Sequence, residues 1–250
     1  MSDAERAWLD LERTEKLPET VARKILHEIV EGGLVAGDRL PPEATMSAQF
    51  QVGRASLREA LRILETHGMI RMKPGPSGGP VVTDTRPSDY GKTTTLYLHR
   101  AGATFRELME ARLVIEPVMA GLAAERLTPE SADRVRAAMQ MGWDALDGTA
   151  AAWAAAAEEF HAMVAGMSGN LVLDLFAGSL VSIERQHLGE LLSNPGERRQ
   201  ALRVHDAIGE AILARDADSA RELTRRHIVA LGKLWDEARP RAMGGVVEWK

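Results

Sequence analysis

The chain has no cysteine, no apolar run of membrane-spanning length and no apolar segment behind a basic start. The absence of cysteine excludes disulfide bonds, iron–sulfur clusters and thiolate zinc sites. A membrane helix needs about 20 mostly apolar residues in succession. A secretory signal peptide needs an apolar stretch behind a basic start. We therefore expect a cytoplasmic protein without a targeting segment.

The composition is typical of a globular protein with an ample core, because 45% of the 250 residues are hydrophobic and 27% are charged. The length predicts one large domain or two ordinary ones. Although the formal net charge is −5, the segment from Arg39 to Lys73 has six basic and three acidic residues, a local excess of +3. Such a concentration of positive charge is typical of a nucleic-acid-binding surface.

Two short helical segments separated by a tight turn lie within this basic region. Pro42 allows a helix to start at residues 43–50, because proline fits the first turn of a helix. Residues 51–53 form the turn, and residues 54–67 form a longer helix that ends at Gly68. Two short helices across a small turn are typical of a helix-turn-helix.

The second of these helices has an apolar face and a basic face. Arginine side chains suit both guanine edges and phosphates. A solvated basic face is the simpler interpretation, but arginines at the N-terminal end of the second helix favour contact with DNA bases. The apolar face consists of Leu57, Leu61 and Leu64, and the basic face of Arg54, Arg58 and Arg62.

Two short strand-like runs follow, at residues 70–73 and 81–83, with a turn rich in glycine and proline between them. This pattern predicts a hairpin wing with Arg71 and Lys73 at its base. Residues 20–83 as a whole resemble the winged helix-turn-helix of the GntR family of bacterial transcription regulators. The matching residues are Gly37-Asp38-Arg39-Leu40-Pro41, Glu43, Val52, Arg54, Leu57-Arg58-Glu59-Ala60-Leu61, Leu64, Gly68 and the wing glycines.

The resemblance implies that this region binds double-stranded operator DNA. We expect base contacts from Arg54 and Arg58 and phosphate contacts from Arg39 and Lys73. The full set of predicted DNA-binding residues is Arg39, Arg54, Ser56, Arg58, Lys73 and Gly75. The chain departs from the family pattern at Ala44, where an arginine is usual, and at Gly53, where a serine is usual. The operator therefore need not follow the family consensus.

From residue 104 onward, helical periodicity dominates and no alternating strand pattern appears. The fold class predicted for the chain is mainly α, with an N-terminal winged helix-turn-helix and a C-terminal all-α bundle of about six helices. The predicted domains are 1–85, a polar linker at 86–103, 104–240 and a tail at 241–250. The predicted bundle helices are Phe105–Leu127, Pro129–Leu146, Ala150–Met167, Leu171–Ser193, Glu197–Arg215 and Ala217–Ala238.

Three of the seven histidines lie on apolar stripes of separate predicted helices: His161, His205 and His227. Each taken alone fits a core histidine satisfied by a hydrogen bond. Together they predict an open site for a divalent metal, because imidazole is a common ligand of such ions. His187 also lies on an apolar face, and its role stays open.

Arg112 shares an apolar stripe with its helical neighbours, which places a guanidinium among core positions. A buried charge is costly unless it is paired. Glu116, one turn further on, is the natural partner in an internal ion pair. A second interpretation is a fork for a ligand carboxylate, and the two roles are compatible if the ion pair orients the guanidinium.

Residues 104–238 resemble the effector-binding FCD domain of the FadR-like branch of the GntR family. The resemblance implies a divalent metal, zinc or nickel, held by His161, His205 and His227, with a small carboxylate beside it. We assign Arg112 and Asn170 to the effector site. The matching residues are Glu107-Leu108-Met109-Glu110-Ala111-Arg112, Glu116, Phe160-His161, Ser168-Gly169-Asn170, His205, Ala207-Ile208 and His227.

The family often has an aspartate ligand four residues before the first histidine, and here that position is Ala157. Glu158, Glu159, His187 or the effector itself is a candidate to take the place of the aspartate. It is equally consistent with the sequence that the site holds no metal.

These features together predict a homodimeric, ligand-responsive transcription regulator, more plausibly a repressor than an activator and not an enzyme. A competing hypothesis is a metal-dependent hydrolase or lyase, since three histidines with an open position can activate water. Glu158 and Glu159 are the available general bases for that reaction. A third hypothesis is a metal sensor without an organic effector, and a fourth is a regulator with a long-chain acyl ligand and structural histidines.

Overall fold

The computed structural model describes residues 16–75, 78–188, 195–238 and 240–249, with residues 186–188 as backbone only. The chain divides into two compact units, Met1–Arg86 and Pro87–Lys250. The described residues form eleven helices and one two-stranded sheet. The predicted fold class, mainly α with a winged helix-turn-helix and a helical domain, is confirmed. Within these ranges, no helix combines the length and the apolarity needed to cross a membrane.

The described residues of the N-terminal unit, from Lys16 onward, form three helices and the wing. Pro18 lies in the first turn of α1, where its missing N–H is not needed. The strands β1 and β2 pair antiparallel, with Ile70 opposite Val82 and Lys73 opposite Gly79. The elements are α1 Leu17–Glu31, α2 Glu43–Gln49, α3 Arg54–Thr66, β1 Ile70–Lys73 and β2 Gly79–Val82.

The predicted apolar face of α3 is buried in the core of the N-terminal unit. Leu57, Leu61 and Leu64 pack against the apolar stripe of α1 and against Ile70 of β1. Because this face is held in the core, the opposite face of α3 is presented to solvent.

The C-terminal unit consists of helices with short connections. Threonine N-caps start some of its helices. Thr104 and Glu107 form a capping box at the start of α5, and the Thr149 side chain caps α7. The helices are α4 Pro87–Ala101, α5 Phe105–Glu125, α6 Pro129–Asp144, α7 Ala150–Met167, α8 Leu171–Leu188, α9 Pro195–Leu213, α10 Ala217–Ala238 and α11 Pro240–Met243.

The prediction of a linker at 86–103 is wrong, because α4 occupies most of it. The polar sequence of this helix carries no apolar periodicity by which it could be predicted. Its contact with α8 depends on small residues rather than on an apolar stripe. At Gly91 a Cβ atom would lie 3.2 Å from the carbonyl oxygen of Ser179, so glycine permits the close approach. Thr95, one turn on, is buried and donates its hydroxyl hydrogen to the Gly91 carbonyl.

The prediction of a tail at 241–250 is also wrong for the residues that the structure describes. Val246 forms an isolated β-bridge with Thr104, and the amide of Val247 donates to the carbonyl of Ala103. The Val247 side chain is buried in a cluster with Phe105 and Trp235. The segment is therefore part of the core. The end of the predicted helix Leu171–Ser193 lies outside the described residues, beyond Leu188.

Candidate DNA-binding face and histidine cavity

The basic face of α3 lies on the surface of the N-terminal unit. Arg54 and Arg58 are both exposed, and 70% of the Arg58 side chain is accessible to solvent. The Nε–H of Arg58 donates to Oε2 of Glu43, on α2, over 2.9 Å. That contact involves Nε alone. The two Nη groups lie beyond it, at the outer end of the side chain. Both arginines are therefore placed for contact with a molecule outside the unit.

The other predicted DNA-binding residues lie on α3 or around the wing. Ser56 is half-buried on α3, and Lys73 ends β1. Arg39 forms an isolated β-bridge with Val81, which ties its backbone to β2. Gly75 has a φ of +104°, a conformation that favours glycine, in the turn after β1. Pro76 and Ser77, at the tip of the wing, lie outside the described residues.

The two departures from the family pattern have different local settings. Ala44 is exposed in the first turn of α2. Gly53 is the N-cap of α3, where no side chain accepts a hydrogen bond from the first turn. The space around its Cβ position is open, so glycine is not required there by packing.

In the C-terminal unit, the structure brings together the three histidines on α7, α9 and α10. The ligand atoms of His161, His205 and His227 all lie within 4.8 Å of one another. Nε2 of His205 lies 3.4 Å from Nε2 of His227. Two ligands of a tetrahedral zinc ion, each about 2.0–2.1 Å from the metal, are about 3.3–3.4 Å apart. The spacing of this pair fits a shared divalent metal.

The surroundings of the cluster also fit a metal. Nδ1 of His161 lies 3.0 Å from Oε2 of Glu116. A carboxylate that accepts from Nδ1–H fixes the tautomer with Nε2 unprotonated, an arrangement found behind many metal-bound histidines. Arg112 and His161 hold the pKa of Glu116 well below its usual range, although burial alone would raise it. Glu116 is therefore a carboxylate, as this role requires.

Burial keeps the other two imidazoles neutral. It lowers the pKa of His205 well below its usual value, and the nearby His227 and His161 lower it further. Burial, with His161 and Arg112, lowers the pKa of His227 to about 3. Metal ligation requires neutral imidazole, so both side chains are in the ligating form at neutral pH.

These shifts predict acid destabilisation of the metal-free protein. An unfolded chain takes up protons on His205 and His227 as the pH falls below about 6.5, whereas the folded chain does not. The free energy of unfolding should therefore decrease on acidification, by up to about 1.4 kcal/mol per pH unit for each histidine, and for His227 this continues to about pH 3. Urea unfolding in chelator between pH 6.5 and 5 measures the slope.

The matched comparison for this pH slope is His227→Gln against His67→Gln, since His67 is exposed at the end of α3. His227→Gln should reduce the dependence of the unfolding free energy on pH by the contribution of one histidine. His67→Gln should leave that dependence unchanged. Equal slopes in the two variants would contradict the burial argument.

Arg112 is buried in an ion-pair cluster, with 1% of its surface exposed. Its Nε–H donates to Glu116 on the same helix, and its Nη1 pairs with Glu184 on α8. Glu116 was predicted from the sequence as the partner, whereas Glu184 was missed. A usable signal was present, because Glu184 follows Ala177 and Val181 on the buried stripe of α8. A charged residue on an apolar stripe is the signal that identified Arg112.

A cavity of about 450 Å³ opens beside the histidines. All three histidines and Arg112 line it, together with residues of α7 to α10. Ala157 lines it one turn before His161, so a methyl group stands where the family often has an aspartate. Glu158 also lines the cavity but is ion-paired with Arg185. The cluster of ligating side chains found among the described residues contains the three histidines alone.

Two other predicted candidates, Asn170 and Glu159, do not line this cavity. Asn170 is exposed, and its Oδ1 accepts hydrogen bonds from the amides of Val172 and Leu173, so it caps α8. Its prediction as an effector ligand is not supported, because its side chain serves the helix terminus. Glu159 is exposed on α7. The side chain of His187 lies outside the described residues.

A winged helix-turn-helix with an outward arginine face and an α-helical domain with a histidine-lined cavity define a DNA-binding transcription regulator with a sensory domain. Comparison with known families agrees. The model of bacterial regulatory proteins of the gntR family matches residues 17–78, and the FCD domain model matches residues 107–230. The chain belongs to the GntR family and carries an FCD domain. It is a transcription regulator and not an enzyme.

The chain is similar to regulators of several bacteria. It is 28% identical over 240 residues to the HTH-type transcriptional repressor NanR of Escherichia coli, with 86% of each chain covered. It is 32% identical over 128 residues to the uncharacterized HTH-type transcriptional regulator Rv0494 of Mycobacterium tuberculosis, where the match spans 51% of this chain and 52% of that relative. A solved structure, Streptococcus agalactiae GntR, has a TM-score of 0.65 at 26% identity, covering 86% of this chain and 98% of that one.

Proposed function

We propose that this chain is a cytoplasmic repressor that binds operator DNA as a homodimer and responds to a small organic acid. In this proposal the acid binds in the FCD cavity beside a divalent metal. The observation that carries the DNA-binding part is the outward arginine face of α3, which is backed by Leu57, Leu61 and Leu64 in the core. The repressor role is supported by the similarity to NanR over most of both chains.

The arginines of α3 are suited to read bases in the major groove. The N-terminal residues of a recognition helix contact base edges, and arginine pairs with guanine through two N–H groups. Glu43 holds Nε of Arg58, which orients the guanidinium with its Nη groups outward. We assign base reading to Arg54 and Arg58.

Residues around α3 and the wing would position the chain on the phosphates. Arg39 and Lys73 supply positive charge, Ser56 supplies a hydroxyl and Gly75 supplies a backbone amide at the wing. Phosphate contacts of these kinds fix register and orientation without reading sequence. The residues assigned to bases therefore lie on α3, and those assigned to phosphates lie on α3 and around the wing of the same unit.

The lining of the FCD cavity supports an acid that binds together with a metal. Four acidic and three basic side chains line the cavity, a balance that does not favour an anion by itself. A divalent metal held by His161, His205 and His227 would supply positive charge and an open position for a carboxylate oxygen. Glu116 and Glu184 hold Nε and Nη1 of Arg112, and we assign Nη2 to the effector carboxylate.

Exposed apolar side chains on α5 and α8 support the homodimer. Val114 and Val118 lie one turn apart on α5 and are exposed, at 71% and 49%. Leu171, Val172 and Phe176 are exposed on α8. Large apolar patches on a soluble protein mark interaction sites. A dimer would carry two recognition helices to two half-sites about one DNA turn apart, and a ligand that prefers one conformational state shifts the population toward it.

The experiment that tests this function begins with in vitro selection of an operator by the intact chain. Arg58→Ala should then weaken operator binding by about 1–3 kcal/mol, roughly 5- to 150-fold, because a bidentate base contact is lost. A second selection with the variant should show relaxed preference at one position of each half-site. Fluorescence anisotropy at fixed salt measures the affinity.

Arg62→Ala is the control for this measurement. Arg62 is exposed one turn further along the same helix and pairs with Glu59. Its loss removes the same charge, and the base preferences should be retained. If Arg58→Ala leaves the selected sequence and the affinity as in the unsubstituted chain, the assignment of α3 to base reading is wrong.

A further inference from the structure

The ion pair between Glu43 and Arg58 joins the two helices of the helix-turn-helix. Oε2 of Glu43, in the first turn of α2, accepts from the Nε–H of Arg58 on α3 over 2.9 Å. The two residues are 15 positions apart along the chain. Arg62, by contrast, pairs with Glu59 within α3 itself. Of these two arginines, Arg58 is therefore the one that is held from another helix.

The stability of the unit does not account for this contact. The side chains of Arg58 and Glu43 are 70% and 30% exposed, and exposed ion pairs add little to the free energy of unfolding. An acidic residue in the first turn also favours the start of its own helix through the helix dipole, which requires no contact with α3. Neither effect explains why the carboxylate is aligned with Nε of Arg58.

The contact restricts what the guanidinium of Arg58 can bind. An unrestrained arginine on a helix that faces DNA pairs with a phosphate as well as with a base, because both accept two N–H groups. A phosphate contact carries no sequence information. With Nε held by Glu43, the guanidinium presents its two Nη groups end-on, as bidentate bonding to O6 and N7 of guanine requires. The carboxylate also repels a nearby phosphate.

We infer that Glu43 is a specificity-determining residue, which restrains Arg58 so that this arginine reads guanine in the major groove and does not pair with a phosphate. Glu43 acts through Arg58 and is therefore a positioning residue. Its negative charge lowers the affinity for DNA of any sequence, and specificity rises because the contacts that ignore sequence are weakened most. This inference rests on the proposed function, because it takes α3 to read bases.

The test is Glu43→Ala in the intact chain, with affinities measured by fluorescence anisotropy at fixed salt. The duplexes are the selected operator, the operator with each position replaced in turn, and a scrambled sequence. Affinity for the scrambled duplex should rise about twofold, because a charge that repels phosphates is lost. The preference for guanine at one position of each half-site should fall at least about fivefold, because Arg58 is no longer restrained.

The matched control is Glu59→Ala, which removes the same charge and releases Arg62. It should raise the affinities for the operator and the scrambled duplex by the same factor and leave the base preferences unchanged. Glu43→Gln keeps the length of the side chain without its charge. It should give a smaller change in the same direction as Glu43→Ala, and it repeats the test if Glu43→Ala does not fold.

A double variant distinguishes positioning of Arg58 from a structural role of Glu43. In a chain that carries Arg58→Ala, the further substitution Glu43→Ala should cause no additional loss of base preference, because the effect of Glu43 on bases passes through Arg58. A structural role in placing α3 would lower the base preference in both backgrounds.

The outcomes separate the inference from the proposed function. If Glu43→Ala leaves the base preferences unchanged, relaxes them equally with and without Arg58, or does no more than Glu59→Ala, the inference is overturned and base reading by α3 remains. If Arg58→Ala also leaves the preferences unchanged, base reading by Arg58 and the inference fail together. If Glu43→Ala relaxes one position of each half-site only when Arg58 is present, and Glu59→Ala relaxes none, the inference is supported.

Discussion

Replacing Arg112 by alanine is expected to lower the free energy of unfolding by about 3–5 kcal/mol, because removal of one partner of a buried ion pair leaves uncompensated charge. Glu116 and Glu184 are both buried against this guanidinium. Without it, two carboxylates would remain in the interior of the C-terminal unit. Both would have to be protonated or hydrated at the expense of the packing around them.

Urea unfolding of the intact chain, followed by circular dichroism, measures this change. Arg106→Ala is the matched control, since Arg106 lies on the same helix and pairs with Asp236 at the surface. An exposed pair contributes about 0–1 kcal/mol, so the control should differ from the unsubstituted chain by no more than that. The triple substitution Arg112→Met, Glu116→Gln and Glu184→Gln should recover part of the loss. A loss of under about 1 kcal/mol in Arg112→Ala would refute the buried ion-pair cluster.

Zinc is expected to raise the free energy of unfolding by about 2.7 kcal/mol when free metal exceeds its Kd 100-fold, because a ligand of the native state stabilises it by mass action. For a unit of this size, 1 kcal/mol corresponds to about 2–4 °C in Tm, so the expected rise in Tm is about 5–11 °C. The reason is the convergence of His161, His205 and His227, with neutral imidazoles at His205 and His227 and a carboxylate behind His161.

The control for the zinc effect separates the site from adventitious binding. His205→Ala should abolish the zinc-induced rise, because two of the three ligands do not make a site of the same affinity. His67→Ala removes an exposed histidine at the end of α3 and should leave the rise intact. Equal zinc effects in both variants would show that the metal binds elsewhere. Equilibrium dialysis, which counts bound zinc per chain, checks the stoichiometry.

The helix-turn-helix and the wing could be predicted because their signals are local. The leucine stripe of α3, the Gly68 stop and the glycine- and proline-rich turn each act through neighbours within a few residues. The same signals failed for α4, whose packing against α8 rests on Gly91 and Thr95 rather than on an apolar period. They failed also for residues 246–247, which are ordered by an isolated β-bridge and by burial of Val247.

In the candidate site, too, some residues could be predicted from the sequence and others could not. Helical periodicity was enough to predict that His161, His205 and His227 point into the bundle, and that Arg112 pairs with Glu116 one turn away. The prediction of Asn170 at the effector site did not anticipate that this side chain caps α8. A side chain at a helix terminus can cap that helix instead of lining a distant cavity. The spacing of residues along the sequence does not show where the helix ends, so it cannot distinguish the two roles.

By itself the sequence determined the class of this protein: the helix-turn-helix, the arginine face of α3 and the inward direction of the histidines. These follow from interactions between residues three or four apart. Only the tertiary structure decided that Glu184 joins Arg112 and Glu116, and that a cavity of about 450 Å³ opens beside the histidines. Both depend on the relative positions of helices far apart along the chain, because a cavity and a buried ion pair form only where separate helices meet.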